Sequence, residues 1–217
     1  MDQHIVLIGD LIGSKDLGDK ERERYQSILT EETSRINQES SALESPLTIT
    51  LGDEFQAVYN SMSPVLADSW SILAAMHPVG VRFSVGIGQI HTPLNREQAL
   101  GMDGPAFHAA RDGMDQIKES GRIYNIRLGS PAEQQESALS LVSLINNSLQ
   151  LLSNEIKKWK KTRLQILVML QKGLNIKKIA DEISISESAV YKNRDDGDLK
   201  LMLDLKKSIG ENINLIL

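Results

Sequence analysis

The 217-residue chain contains no cysteine, which excludes disulfides and thiol catalysis. Aromatic residues are scarce, at 4 %, and this argues against single-strand nucleic-acid binding by base stacking. No uncharged apolar run approaches membrane-spanning length, so no membrane partner is expected. The first apolar run, Ile5 to Ile8, is short and broken by Gly9 and Asp10, unlike a signal peptide. A cytoplasmic protein is therefore expected. His4, His77 and His91 show no metal-ligand spacing. Repeats and low-complexity tracts are missing too.

What is present is a pattern. From Leu47 to Tyr59, apolar and polar residues alternate on both sides of Gly52-Asp53, which reads as a β-hairpin with Asp53 and Glu54 at its tip. Another acid, Asp10, ends the strand Ile5 to Ile8. Asp19 to Glu39 has helical spacing (Tyr25, Ile28, Leu29, Ile36), Pro64 to Met76 reads as a second helix, and Val81 to Gly88 as a strand. The order β-α-β-β-α-β is that of the ferredoxin-like split unit, and the fold class is α+β. In that topology the first strand lies antiparallel to the third, so Asp10, Asp53 and Glu54 converge at one sheet edge. Two carboxylates at strand ends suit a hard divalent cation serving a phosphate-bearing substrate. Asp and Gly are also common in turns, so each acid alone says little.

The second half differs. Gly121 to Leu128 reads as a closing strand, with Gly129-Ser130-Pro131 marking a boundary. This gives domains 1–130 and 131–217. Glu133 to Leu170 is helical, with Leu141, Leu144, Ile145, Leu152 and Ile156 as an apolar stripe that packs on a domain or forms a dimerising stalk. Residues 164–194 carry the spacing of a helix-turn-helix: helices at Ile176 to Ile183 and Ser186 to Arg194, with Ser184-Ile185 between. If it binds DNA, Ser186, Ser188, Ala189, Tyr191, Lys192 and Arg194 face the major groove. Glu187 and Asp195-Asp196 oppose this, and protein contact is the alternative. Asp198 to Leu217 reads as a final amphipathic helix. Met1 to Gln150 holds 11 Lys/Arg against 20 Asp/Glu (net −9), and the remainder 13 against 9 (net +4). An acidic half joined to a basic half suits a nucleotide or metal site tethered to a polyanion binder.

Gly9-Asp10-Leu11-Ile12-Gly13-Ser14 resembles the first metal-binding segment of class III nucleotidyl cyclases. Leu51-Gly52-Asp53-Glu54-Phe55 is similar to the cyclase hairpin and to the GGDEF signature of diguanylate cyclases. Val81 to Gly88 is similar to their Gly-rich strand, and Gly104 to Arg111 to their Ala-Ala-Arg helix. With the C-terminal segment, which resembles a sigma-factor-type helix-turn-helix, the whole resembles the SatD family. The resemblance implies a palm domain over about residues 1 to 128. Asp10, Asp53 and the Leu11 carbonyl would hold Mg²⁺ or Mn²⁺. Leu11, Ile12, Gly13, Ser14, Lys15 and Gly52 would receive a nucleoside triphosphate, with Glu54 and Arg111 in the catalytic set. A homodimer is implied as well. The pattern departs at Leu51, where a glycine is usual, at Ile49, where cyclases read the base with Lys, and at Phe107 or His108, where they carry Asn. Metal-binding parts are kept, while base-reading and transition-state parts are altered. Arg111 serves equally well as a structural ion-pair partner, Lys15 as a solvated cation, and His108 as an ordinary half-buried histidine.

Overall fold

A computed structural model describes residues 3–50, 52–129 and 136–217. Leu51 and the boundary residues Ser130 and Pro131 lie outside the described residues.

The central strand β1 (His4–Leu11) leads through a short 3-10 turn at Ser14–Asp16 into α1 (Asp19–Glu39). A hairpin follows, β2 (Leu43–Ile49) and β3 (Glu54–Tyr59), then α2 (Met62–Met76) and β4 (Val81–Gly88). After α3 (Pro105–Ser120) comes β5 (Tyr124–Leu128). The sheet order is β2-β3-β1-β4-β5, with β1 antiparallel to both β3 and β4. The expected pairing of the first and third strands is therefore found. β5 joins parallel to β4, with α3 as the crossover.

Side-chain alternation splits β1 between two cores. Ile5, Leu7 and Leu11 join the core under α1 and α2, while Val6 and Ile8 pack against Ala106, Phe107, Ala110 and Met114 of α3. Asp10 has the parity of the α3 face. Gly86 lets α3 approach: a Cβ there would lie 1.9 Å from the Ala106 carbonyl oxygen. Both sheet edges are closed by asparagines. Asn37 of α1 exchanges hydrogen bonds of 2.8 and 2.9 Å with the Leu47 backbone of β2. Asn146 does the same for Ile126 of β5, at 2.8 Å each way.

The remaining helices are α4 (Glu136–Ile156), α5 (Lys161–Gln171), α6 (Ile176–Glu182), α7 (Glu187–Asp196) and α8 (Leu199–Asn214). α4 buries Val142, Ile145, Leu149, Leu152 and Ile156, a 3-4-3-4 spacing. Leu144, expected in that stripe, is instead 64 % exposed because it falls off this face. Trp159, flanked by lysines, is buried between α4 and α5. Helix α2 packs against both α5 and α8. One apolar core runs from the sheet through α2 into Leu164, Leu167, Met202 and Ile209.

Candidate functional site

Register places Asp10 opposite Glu54 on β3 and opposite Arg82 on β4. Asp10 is 8 % exposed. Its Oδ2 accepts from Arg82 Nη1 at 3.2 Å, and its Oδ1 lies 3.8 Å from Lys118 Nζ of α3. Burial raises its pKa; Lys118 and Arg82 oppose that, while Asp53 and Glu54 reinforce it. Glu54, also buried, accepts from Arg111 Nη1 at both carboxylate oxygens, at 2.7 and 2.8 Å. Arg111 and Lys118 stand two turns apart on one face of α3, so that helix presents two cations to two strand-end acids.

Asp53 occupies the other side of the corner. Its Oδ2 accepts from the Ser14 hydroxyl, and its carbonyl accepts from Leu11 N–H at 3.1 Å. Gly13 takes a left-handed conformation (φ 71°), which turns the chain from β1 into the Ser14 segment. Arg22 of α1 donates to the carbonyls of Ser14, Lys15 and Leu17 at 3.4, 3.3 and 3.5 Å, fastening that loop to the helix. Gln26 donates to the Gly52 carbonyl at 3.4 Å and ties the hairpin tip to the same helix. Between them lies a cleft of about 230 Å³ lined by Leu11, Ser14, Lys15, Arg22, Gly52 and Asp53.

Of the expected residues, Asp10, Glu54 and Arg111 come together on the α3 side, and Asp53, Ser14, Lys15 and Gly52 around the cleft. The charges of Asp53 and Glu54 are felt at Asp10, yet the side-chain partners of the three acids differ. Among the described residues no group of three or more His, Cys, Asp or Glu side chains is arranged to hold a metal. Oxygen donors remain in the two aspartates and the Leu11 carbonyl. Ile12 is half-buried and its N–H donates to the Gly80 carbonyl at 2.8 Å. His108 is exposed rather than half-buried and pairs with Asp103 at 2.8 Å, because it points off the packed face of α3. Sequence reasoning missed Arg22, Arg82 and Lys118. The available signals were the seven-residue interval from Arg111 to Lys118 and the position of Arg82 on the strand predicted beside the first.

In the C-terminal part, Asn175 caps α6 by accepting from Lys178 N–H at 2.9 Å, and Ser186 caps α7 by accepting from Ala189 N–H at 3.1 Å. Ile179, Ala180 and Val190 are buried. Ser188, Tyr191 and Lys192 are exposed, and Ala189 is half-buried. Arg194 lies 4.9 Å from the Tyr191 ring centroid and pairs with Asp195 at 2.7 Å. The Ser186 hydroxyl is thus engaged in capping and the Arg194 charge is partly answered within α7.

The SatD family model matches residues 4–213. No curated protein matches the chain. Among solved structures, the guanylyl cyclase Cya2 is similar with a TM-score of 0.40 and 11 % identity, over 53 % of this chain and 70 % of that one. A bacterial light-regulated adenylyl cyclase gives 0.40 and 15 %, over 57 % and 42 %. A regulator of polyketide synthase expression from Bifidobacterium adolescentis gives 0.28 and 14 %, over 97 % and 86 %.

Proposed function

The chain belongs to the SatD family, and we propose that the corner formed by the end of β1, the β2–β3 turn and the start of α1 binds a metal–nucleotide complex. The observation that carries this reading is the meeting of Asp10, Asp53 and the Ser14–Lys15 loop at one sheet end, beside a cleft open to solvent. Mg²⁺ or Mn²⁺ fits the donor set, which is oxygen throughout: the Asp10 and Asp53 carboxylates and the Leu11 carbonyl. Such an ion, when bound, neutralises polyphosphate charge. Lys15 lies beside the cleft to meet phosphate oxygens, and the Gly13 turn leaves room for a ligand to approach the backbone. Arg111 and Lys118, now held by Glu54 and Asp10, are the cations a polyphosphate would draw away.

Calorimetric titration of ATP and GTP with Mg²⁺ or Mn²⁺ tests this. Metal-dependent binding by the native protein, lost in Asp10→Ala/Asp53→Ala, is the expected result. Absence of binding to the native protein sinks the reading.

A second reading makes the sheet half a catalytically degenerate sensor on a regulator. The observation favouring it is that the acids are already neutralised from within, Asp10 by Arg82 and Lys118 and Glu54 by Arg111. In both readings α6 and α7 act as a helix-turn-helix offering Ser188, Tyr191 and Lys192 to DNA. Salt-dependent duplex binding that weakens in Lys192→Ala supports this, and salt-independent or absent binding makes the module a protein contact.

A further inference from the structure

A cavity of about 350 Å³ lies between α1 and α2 on one side and α5 and α8 on the other, and no residue of the Asp10–Glu54 corner lines it. Ligand pockets run from about 300 to 1,000 Å³, so the space suits a small molecule. Asp68 of α2 and Lys206 of α8 both line it. Asp68 accepts from the Tyr59 hydroxyl at 3.0 Å, and Lys206 donates to Gln171 Oε1 at 3.4 Å. Both partners are neutral, and among the described residues neither group forms an ion pair. Burial raises the Asp68 carboxyl to about 6 and lowers the Lys206 ammonium, which the Asp68 charge partly raises again and which lies 5.7 Å from the Trp70 ring centroid; neither charge has a counter-charge in contact.

The other charges around the cavity answer one another. Arg35 of α1 pairs with Glu32 and Glu39 on its own helix, and Lys172 of α5 reaches Glu39 at 3.2 Å. Ser71 is 5 % exposed and lines the cavity, and its hydroxyl has no hydrogen-bond partner among the described residues. The charged groups lining the cavity without an ion pair are therefore one carboxylate and one ammonium, and the Ser71 hydroxyl lines the same space.

We propose that this cavity binds a small zwitterion, with Asp68 receiving its ammonium group, Lys206 its carboxylate, and Ser71 an additional hydrogen bond. A simple anion would meet the Asp68 charge, and a simple cation would meet Lys206. A zwitterion satisfies both. Because α1 and α2 cover the sheet while α5 and α8 belong to the C-terminal part, the ligand would bridge the two.

The test is thermal denaturation and calorimetry of the full chain with glycine, β-alanine, γ-aminobutyrate and 5-aminopentanoate, which vary the charge separation at constant net charge. Acetate and methylammonium are the single-charge controls. One chain length should raise Tm by about 5 °C or more at saturation. Asp68→Asn and Lys206→Met should each weaken that ligand's binding tenfold or more. No shift with any zwitterion overturns the proposal. So does an equal shift with acetate alone, or binding that survives both substitutions. If Asp68→Asn does not fold, carbon NMR titration of Asp68 in the native protein decides. Saturation with the best zwitterion should move its titration below about 6, and an unchanged titration overturns the proposal.

Discussion

Asp68 sits half-buried between the sheet and the C-terminal helices, with its carboxyl raised to about 6 chiefly by burial. The Tyr59 hydrogen bond and Arg35 pull it down, while Glu32 and Glu39 push it up. In the unfolded chain an aspartate titrates near about 3.9. The folded state therefore holds this proton more tightly. The resulting stabilisation is full below about pH 3.9 and lost as pH rises through about 6. Asp68→Asn keeps an acceptor for Tyr59 and carries no charge. At pH 7.5 it should be more stable than the native protein by up to about 2–3 kcal/mol, with little difference at pH 4. Urea denaturation across this range measures it, and parallel pH profiles for the two proteins would contradict the assignment. Asp10 differs, because its raised carboxyl has Arg82 and Lys118 at hand. Those cations come from β4 and α3, so three elements set the charge of this strand end.

At the scale of elements, the asparagine clamps protect both edges of the sheet. Each supplies one acceptor and one donor to a single residue of an edge strand, Leu47 or Ile126. Asn37→Ala and Asn146→Ala should each lower stability by about 1–3 kcal/mol, because two backbone groups lose their partners. They should also promote association through the opened edges, whereas Asn147→Ala on the exposed side of α4 should do neither. Chemical denaturation together with light scattering tests both parts. The turn between α6 and α7 holds Ser184 at φ 54°, a left-handed conformation costly for any residue with a Cβ. Ser184→Gly should stabilise the protein by about 1 kcal/mol in thermal melts, and a loss of stability would mean that the hydroxyl has a needed partner. Such features explain what the sequence could and could not reveal. Helix α1 was readable because Tyr25, Ile28, Leu29 and Ile36 recur at helical intervals; the structure buries Tyr25, Leu29 and Ile36 of these, together with Thr33. The placement of Asp10 at the same sheet edge as the hairpin tip followed from strand order, while its register against Glu54 came only from the structure. The clamps were invisible, because an asparagine in a polar helix gives no local sign that an edge strand lies beside it. The pairing of Arg111 with Glu54 likewise depends on how α3 lies across β1 and β4, which no local pattern specifies.

For the whole molecule, the decisive fact is that no residue of α2 is fully exposed, its only open side being the one that lines the Asp68–Lys206 cavity. Met62, Val65, Leu66, Trp70, Ile72, Leu73 and Met76 are all buried, packed between the sheet and α5 with α8. The two sides are also joined by hydrogen bonds, from Gln171 Nε2 to the Ala67 carbonyl at 3.0 Å and from His77 Nε2 to the Trp159 carbonyl at 3.2 Å. Gly210 of α8 lies so close to α2 that a Cβ there would fall 2.0 Å from Ser63 Oγ. Removing the C-terminal helices would expose several fully buried large side chains, each worth about 1.5–3 kcal/mol of burial, a loss comparable to the entire stability of a typical domain. A fragment ending at residue 129 should therefore fail to fold cooperatively, and the full chain should unfold in one transition reported alike by Trp70 and Trp159 fluorescence and by helical circular dichroism. Two separated transitions, or a cooperatively folded fragment, would show that the sheet half stands alone. A single transition has a functional corollary. A ligand bound at the Asp10–Asp53 corner or in the Asp68–Lys206 cavity should therefore raise one melting temperature for the whole molecule, with α6 and α7 protected along with everything else.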